Sequence, residues 1–175
     1  MNVSIVIPTR NRSHCLRKCL HALARSMTHA PYPAEIHVVD DGSSGHYRTS
    51  NKSLCLKHDA HFHPLPRNRG MAVARNTGAH ACAGQWIAFI DDDIVVDSNW
   101  YEELLHIIKS IDENTVGIEG YVRGTGDGVW DREVECHHGG QFLSCHIAYR
   151  APVFARVGGF DEHFEFEGPF HEDHE

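Results

Sequence analysis

Trp86-Ile87-Ala88-Phe89-Ile90-Asp91-Asp92-Asp93 is an unbroken apolar run that ends in three carboxylates. The run, entered from Gly84-Gln85, has the length and composition of a buried strand. If the strand persists into the acidic triplet, Asp91 and Asp93 share one face and Asp92 takes the other. Adjacent carboxylates repel one another, at a cost that grows as water is excluded. A hard, oxygen-seeking cation such as Mn2+ or Mg2+ relieves that repulsion and is commonly shared with substrate phosphates. Taken alone, the triplet also reads as a solvated acidic turn.

Outward from this strand, the pattern alternates. Val3-Ser4-Ile5-Val6-Ile7 is a β-branched run stopped by Pro8, and Leu16, Cys19, Leu20, Leu23 and Ala24 then recur at helical spacing behind Ser13, a candidate cap. Ile36-His37-Val38-Val39 makes a second strand that also ends in carboxylates, Asp40-Asp41-Gly42-Ser43. Residues 44–57 read as a poor helix and His61-Phe62-His63 as a third strand. An Ala-rich helix is expected from Met71 to about Cys82, ended by Gly84. A further helix behind Ser98 carries Leu104, Leu105, Ile107 and Ile108, and residues 116–122 read as a strand. This alternation specifies an α/β domain with a mainly parallel central sheet flanked by helices, spanning residues 1–175 as one unit. Ligands of such sheets bind beyond the carboxyl ends of the strands, where Pro8-Thr9-Arg10, Asp40-Asp41 and Asp91-Asp93 gather. Residues 123–141 are glycine-rich and read as an irregular loop.

Composition narrows the function. The chain has 16 Lys+Arg against 24 Asp+Glu, a net charge of −8, and no basic tract, which argues against a nucleic-acid partner. No apolar run approaches the ~20 residues of a membrane span, and the first residues lack the pattern of a signal peptide. The expected location is the cytoplasm or the inner face of the membrane, with any membrane association left to segments outside this sequence. The six cysteines form no C-x-x-C pair and read as reduced structural thiols. Cys136-His137-His138 with Cys145-His146 matches no familiar zinc spacing.

The motifs, in order, resemble family 2 glycosyltransferases. Residues 3–12 are similar to the family's opening strand and nucleotide loop, and Val38-Val39-Asp40-Asp41-Gly42-Ser43 to its second motif. Asn68-Arg69-Gly70 with Ala74-Arg75-Asn76-Thr77-Gly78 resembles the N-x-G…A-R-N-x-G segment, and Ala88 to Asp93 the D-x-D strand. Gly158-Gly159-Phe160-Asp161-Glu162 and Glu172-Asp173 resemble the late G-G-F-D-E and E-D elements.

The resemblance implies a GT-A, Rossmann-like fold and transfer of a sugar from a nucleoside diphosphate sugar, UDP being the preferred nucleotide. The acceptor would be a hydroxyl of a glycan, lipid or other molecule. It implies that Thr9 and Arg10, beside Pro8, line the base pocket, that Asp40 or Asp41 meets the base or ribose, and that Arg75 lies near the nucleotide. Asp91 would face the ribose and Asp93 would hold the Mn2+ or Mg2+ on the diphosphate. Asp92 belongs to the nucleotide-contacting group without a separate role. Asp173 would be the general base, since a sugar hydroxyl needs a positioned carboxylate to take its proton. Glu172-Asp173, where retaining relatives show E-N, favours inversion. Arg75 also reads as one half of a surface ion pair, and Asn76 and Gly78 as packing residues. Trp100, Tyr101 and Trp130 are aromatics for the core or for an acceptor sugar, and His146 lies where relatives place a polar residue near the acceptor. Because the sequence stops directly after the E-D motif, a piece truncated there is one expectation. The competing functions are a nucleotide-sugar-binding domain without efficient transfer and a nucleotidyltransferase, although the loop after the first strand lacks the glycines a triphosphate loop needs.

Overall fold

The structure is a computed structural model that describes residues 2–123, 140 and 142–163. Its centre is a six-stranded sheet in the order β3-β2-β1-β4-β6-β5, formed by β1 (Val3–Thr9), β2 (Glu35–Asp40), β3 (His61–Pro64), β4 (Trp86–Ile90), β5 (Gly117–Glu119) and β6 (His146–Arg150). The first four strands run parallel, whereas β6 lies antiparallel to β4 and β5 antiparallel to β6. Every residue of β1 and of β4 is buried, as strands covered on both faces require.

Helices cover both faces. On one, α1 (Ser13–Ser26), α2 (Gly45–Lys57) and α4 (Trp100–Ser110) pack through Leu16, Leu20, Leu23, Cys55, Leu104 and Ile108 onto Ile5, Ile7, Val38 and Ile90. On the other, α3 (Met71–Ala81) and α5 (Ala151–Val157) bring Ala74 and Phe154 against Val6, Val39 and Phe89. The alternation of side chains along β1 and β2 divides the core this way. Each fully buried Leu of α1 stabilises the fold by roughly 1.5–3 kcal/mol. Among the described residues no helix is long and apolar enough to cross a membrane, and the five described cysteines are free thiols.

Several expected boundaries move. Ser13 does not cap α1; it is the first helical residue, and its hydroxyl donates to Asn51 Oδ1 at 2.7 Å. Gly84 does not end α3, because Cys82 has already turned extended. A Cβ on Gly84 would lie 2.6 Å from Ser4 N, so the glycine lets the entry to β4 cross close over β1. Asn99, rather than Ser98, precedes α4. Strand β5 is three residues long, and β6 with α5 adds an antiparallel strand and a short helix that the hydrophobic pattern does not announce.

Candidate functional site

The carboxyl ends of β1 and β4 sit side by side where the chain order reverses: β1 leads to β2 on one side and has β4 on the other. Such a switch point opens a crevice in a parallel sheet. Its walls are the loops after β1, β2 and β4.

Strand β4 ends at Ile90, and Asp91-Asp92-Asp93 forms a turn closed by Ile94 N–H donating to Asp91 O at 3.1 Å. The turn still sorts the carboxylates. Asp92 points inward and is 0% exposed. It accepts from Thr9 Oγ1 at 2.6 Å and is paired with the Arg12 guanidinium. Burial raises the Asp92 carboxyl above its usual range, and the Arg12 charge and the two hydrogen bonds oppose this. Asp91 and Asp93 face outward with side chains 20% and 51% exposed. Arg75 Nη2, on α3, donates to Asp91 Oδ1 at 2.6 Å, and Arg12 Nη1 stands 3.3 Å from Asp93 Oδ2. Arg75 is therefore a buried partner of the turn rather than half of a surface pair; its guanidinium also lies 5.8 Å from the Phe160 ring.

The β2 carboxylates have structural partners. Asp40 is 0% exposed and accepts from Ser43 N–H at 2.7 Å and Asn51 Nδ2 at 2.8 Å. Asp41 accepts from the Arg69 and Gly70 N–H groups at 2.7 and 2.9 Å, fixing the loop that enters α3. Burial pushes the Asp41 carboxyl up, against those two donors and the nearby Arg10 charge. Gly42 completes the crossing: its φ is +73°, and a Cβ there would lie 2.3 Å from the backbone at Arg67 and Asn68. Asn11 ties the first two loops together, its N–H donating to Ser43 Oγ at 2.9 Å and its Oδ1 accepting from Ser44 N–H at 2.8 Å. Pro8 and Thr9 are buried at the end of β1, and Arg10 is half-buried just beyond it.

Across the turn, Asp91 N–H donates to Cys145 O at 3.2 Å, which brings the start of β6 alongside. A cavity of about 290 Å³ follows, with Asp97, Trp100, Glu119, Tyr121 and His146 in its wall. Trp100 Nε1, a donor only, contacts His146 Nε2 at 2.6 Å, and His146 Nδ1 lies 3.1 Å from Tyr121 O. Nε2 therefore accepts and Nδ1 carries the proton, and burial lowers the pKa of the ring. With both nitrogens occupied, His146 is not poised to take a proton from a substrate. Tyr101 is 1% exposed and belongs to the core. Asn76 receives the G-G-F-D-E segment: its Nδ2 donates to Phe160 O at 2.8 Å and to Glu162 Oε1 at 2.9 Å. Trp130, Cys136, His137, His138, Glu172 and the expected base Asp173 lie outside the described residues.

Two site residues were not assigned roles from the sequence. Arg12 sits within the quoted nucleotide loop, but only the turn geometry shows that it joins Asp92 and Asp93. Asn51 carries no motif, and its pairing with Asp40 follows from the packing of α2.

The sequence and the fold resemble those of known proteins. The sequence model of the family described as "Glycosyl transferase family 2" matches residues 4–157. A pre-mycofactocin glycosyltransferase of Mycobacterium tuberculosis is 30% identical over 177 residues, covering 92% of this chain and 36% of that protein. The poly(ribitol-phosphate) β-N-acetylglucosaminyltransferase TarP of Staphylococcus aureus is 26% identical, covering 74% of this chain and 41% of its own length. Among solved structures, Staphylococcus aureus TarS in complex with UDP superimposes with a TM-score of 0.75 at 20% identity, covering 95% of this chain and 52% of that one. A Pyrobaculum calidifontis mannosyltransferase in complex with GDP-Man and Mn2+ gives 0.69 at 17% identity, covering 92% and 48%. The chain thus spans about a third to a half of the proteins it resembles. The sheet is that of GT-A glycosyltransferases, and with the family match running through β1 to α5, the chain belongs to glycosyl transferase family 2.

Proposed function

We propose that this domain binds a nucleoside diphosphate sugar, UDP-linked by preference, and transfers the sugar with inversion to a hydroxyl of a glycan, lipid or other acceptor. The observation that carries the reading is the unequal aspartate turn: Asp91 and Asp93 open to the crevice above a buried Asp92. The UDP and Mn2+ complexes of the structural neighbours support a nucleotide-sugar donor and a divalent ion.

The donor set fits such an ion. Asp93 offers hard oxygens with half of its side chain exposed, the ligand type Mn2+ or Mg2+ accepts. Bound there, the cation would neutralise charge gathering on the leaving diphosphate. Arg75 holds Asp91 in place beside it, toward the nucleoside. Arg12 fixes the turn from below and sets its distance from the β1 loop. Thr9 and Arg10 border the base pocket. Asp41 presents the Arg69-Gly70 backbone to the crevice, and Asp40 and Asp92 act by holding loops rather than by touching the nucleotide. Asp173, carried over from the E-D motif, would take the acceptor proton as the hydroxyl attacks from the face opposite the diphosphate.

A second reading is a nucleotide-sugar-binding domain without efficient transfer, since the carboxylates open to the crevice among the described residues, Asp91 and Asp93, serve the donor in this reading. Release of UDP from UDP-sugars with Mn2+ separates the two. Transfer predicts turnover that falls by about 10²–10⁴-fold in Asp173→Asn with UDP affinity unchanged. Tight UDP binding without turnover supports the second reading, and full turnover in Asp173→Asn rejects the base.

A further inference from the structure

At the other end of the sheet, a cluster lies that the transfer reaction does not use. Glu35 and His37 are two apart on β2, and His61 on β3 is the direct cross-strand partner of His37. All three therefore stand on one face, at the amino ends of parallel strands, whereas the aspartate turn follows the carboxyl end of β4. One ligand atom from each lies within 4.8 Å of the others.

The individual contacts show an arrangement short of one partner. His37 is 2% exposed, and among the described residues its Nε2 has no hydrogen bond. Glu35 Oε2 is 3.1 Å from that nitrogen, yet this oxygen already accepts from Ser4 Oγ at 2.8 Å and Ala83 N–H at 3.1 Å. The other oxygen, Oε1, faces His61 Nε2 at 3.6 Å. Behind His37, its Nδ1 lies 3.0 Å from His63 Nε2. If Nδ1 donates to His63, the lone pair of His37 Nε2 is directed into the cluster. A second-sphere acceptor fixes the tautomer of metal-binding histidines in this way.

We propose that Glu35, His37 and His61 bind a zinc ion that ties edge strand β3 to β2. Two imidazoles and one carboxylate are a known zinc donor set, completed by water. Bonds of ~2.0–2.1 Å at tetrahedral angles need donor atoms roughly 3.3 Å apart, so from a spread of at most 4.8 Å the cluster must close by up to about 1.5 Å at its widest. His61 makes that movement. Its ring now stacks on His37 at 4.8 Å between centroids, and its side chain is 59% exposed, leaving it room to turn until Nε2 converges. Glu35 and His37 stay where the sheet holds them. The site also has a purpose in the fold. Strand β3 is four residues long and, among the described residues, has a neighbour on one side only, so a metal bridge would protect a weak edge.

The test is a Zn2+ titration of chelator-treated protein by equilibrium dialysis, followed by Co2+ substitution. The wild type should bind one equivalent more than His61→Ala, and its Co2+ form should show the visible bands of a tetrahedral site that His61→Ala lacks. His61 is exposed, so that variant keeps its fold, and Asp93→Ala should retain the equivalent. His63→Ala should weaken binding by about 10–100-fold. Equal Zn2+ stoichiometry and affinity in the wild type and His61→Ala would overturn the proposal. It is independent of the sugar-transfer reading, because no nucleotide enters the experiment.

Discussion

Asp92 and Asp93 are neighbours in sequence, yet one is sealed and the other half open. The difference comes from the turn, which points Asp92 at Thr9 and Arg12. The acidic triplet was legible in the sequence because three carboxylates after an apolar run are conspicuous. The strand does not persist into it, and a turn rather than strand alternation puts Asp92 on the side opposite Asp91 and Asp93. The division of labour was not, since it depends on Arg12 arriving from the start of α1. The same holds at Asp40, whose carboxylate is used up by Ser43 and Asn51. Removing Arg12 leaves a buried carboxylate without its cation. Arg12→Ala should cost about 2–3 kcal/mol in urea denaturation, below the ~3–5 of a fully buried pair because Arg12 is 35% exposed. A loss under about 0.5 kcal/mol would mean that Asp92 is held by Thr9 alone.

Elements differed in how plainly they announced themselves. Strands β1 and β4 are buried along their length and β2 from Ile36 onward, and α1 has a clean apolar stripe, so periodicity found them. Helix α2 buries only Asn51 and Cys55, which is why its pattern looks poor. Strand β6 was missed because only Ile147 and Ala148 of its five residues are buried, and Pro152 then opens a seven-residue helix. The Glu35–His37–His61 cluster needs the β2–β3 register, which no local pattern supplies. Glu35 also links elements: burial raises its carboxyl, but hydrogen bonds from Ala83 N–H and Ser4, together with the adjacent His37 ring, outweigh that and hold it down to about 2. A pKa below the unfolded value stabilises fully above about pH 4.5 and is lost as pH falls toward 2. In chelator, the stability advantage of wild type over Glu35→Gln should therefore shrink between pH 5 and pH 2. An advantage that is constant across that range would show that the carboxyl is not depressed in the folded protein.

At the scale of the whole molecule, two chemistries occupy opposite ends of one sheet: the aspartate turn and crevice at the carboxyl edge, and the histidine cluster at the amino edge. The first was legible because alternating strands and helices dictate where a parallel sheet binds ligands. The proposed function makes this carboxyl edge a metal-assisted site for a nucleoside diphosphate. Thermal unfolding with UDP, GDP, dTDP and CDP, each with and without Mn2+, tests it most directly. A nucleotide at 100 times its Kd adds about 2.7 kcal/mol, a rise of roughly 5–10 °C for a domain of this size. Such a rise is expected for UDP with Mn2+, with little shift without the ion and none in Asp93→Ala. No shift with any nucleotide and Mn2+, or an undiminished shift in Asp93→Ala, would contradict the proposed function.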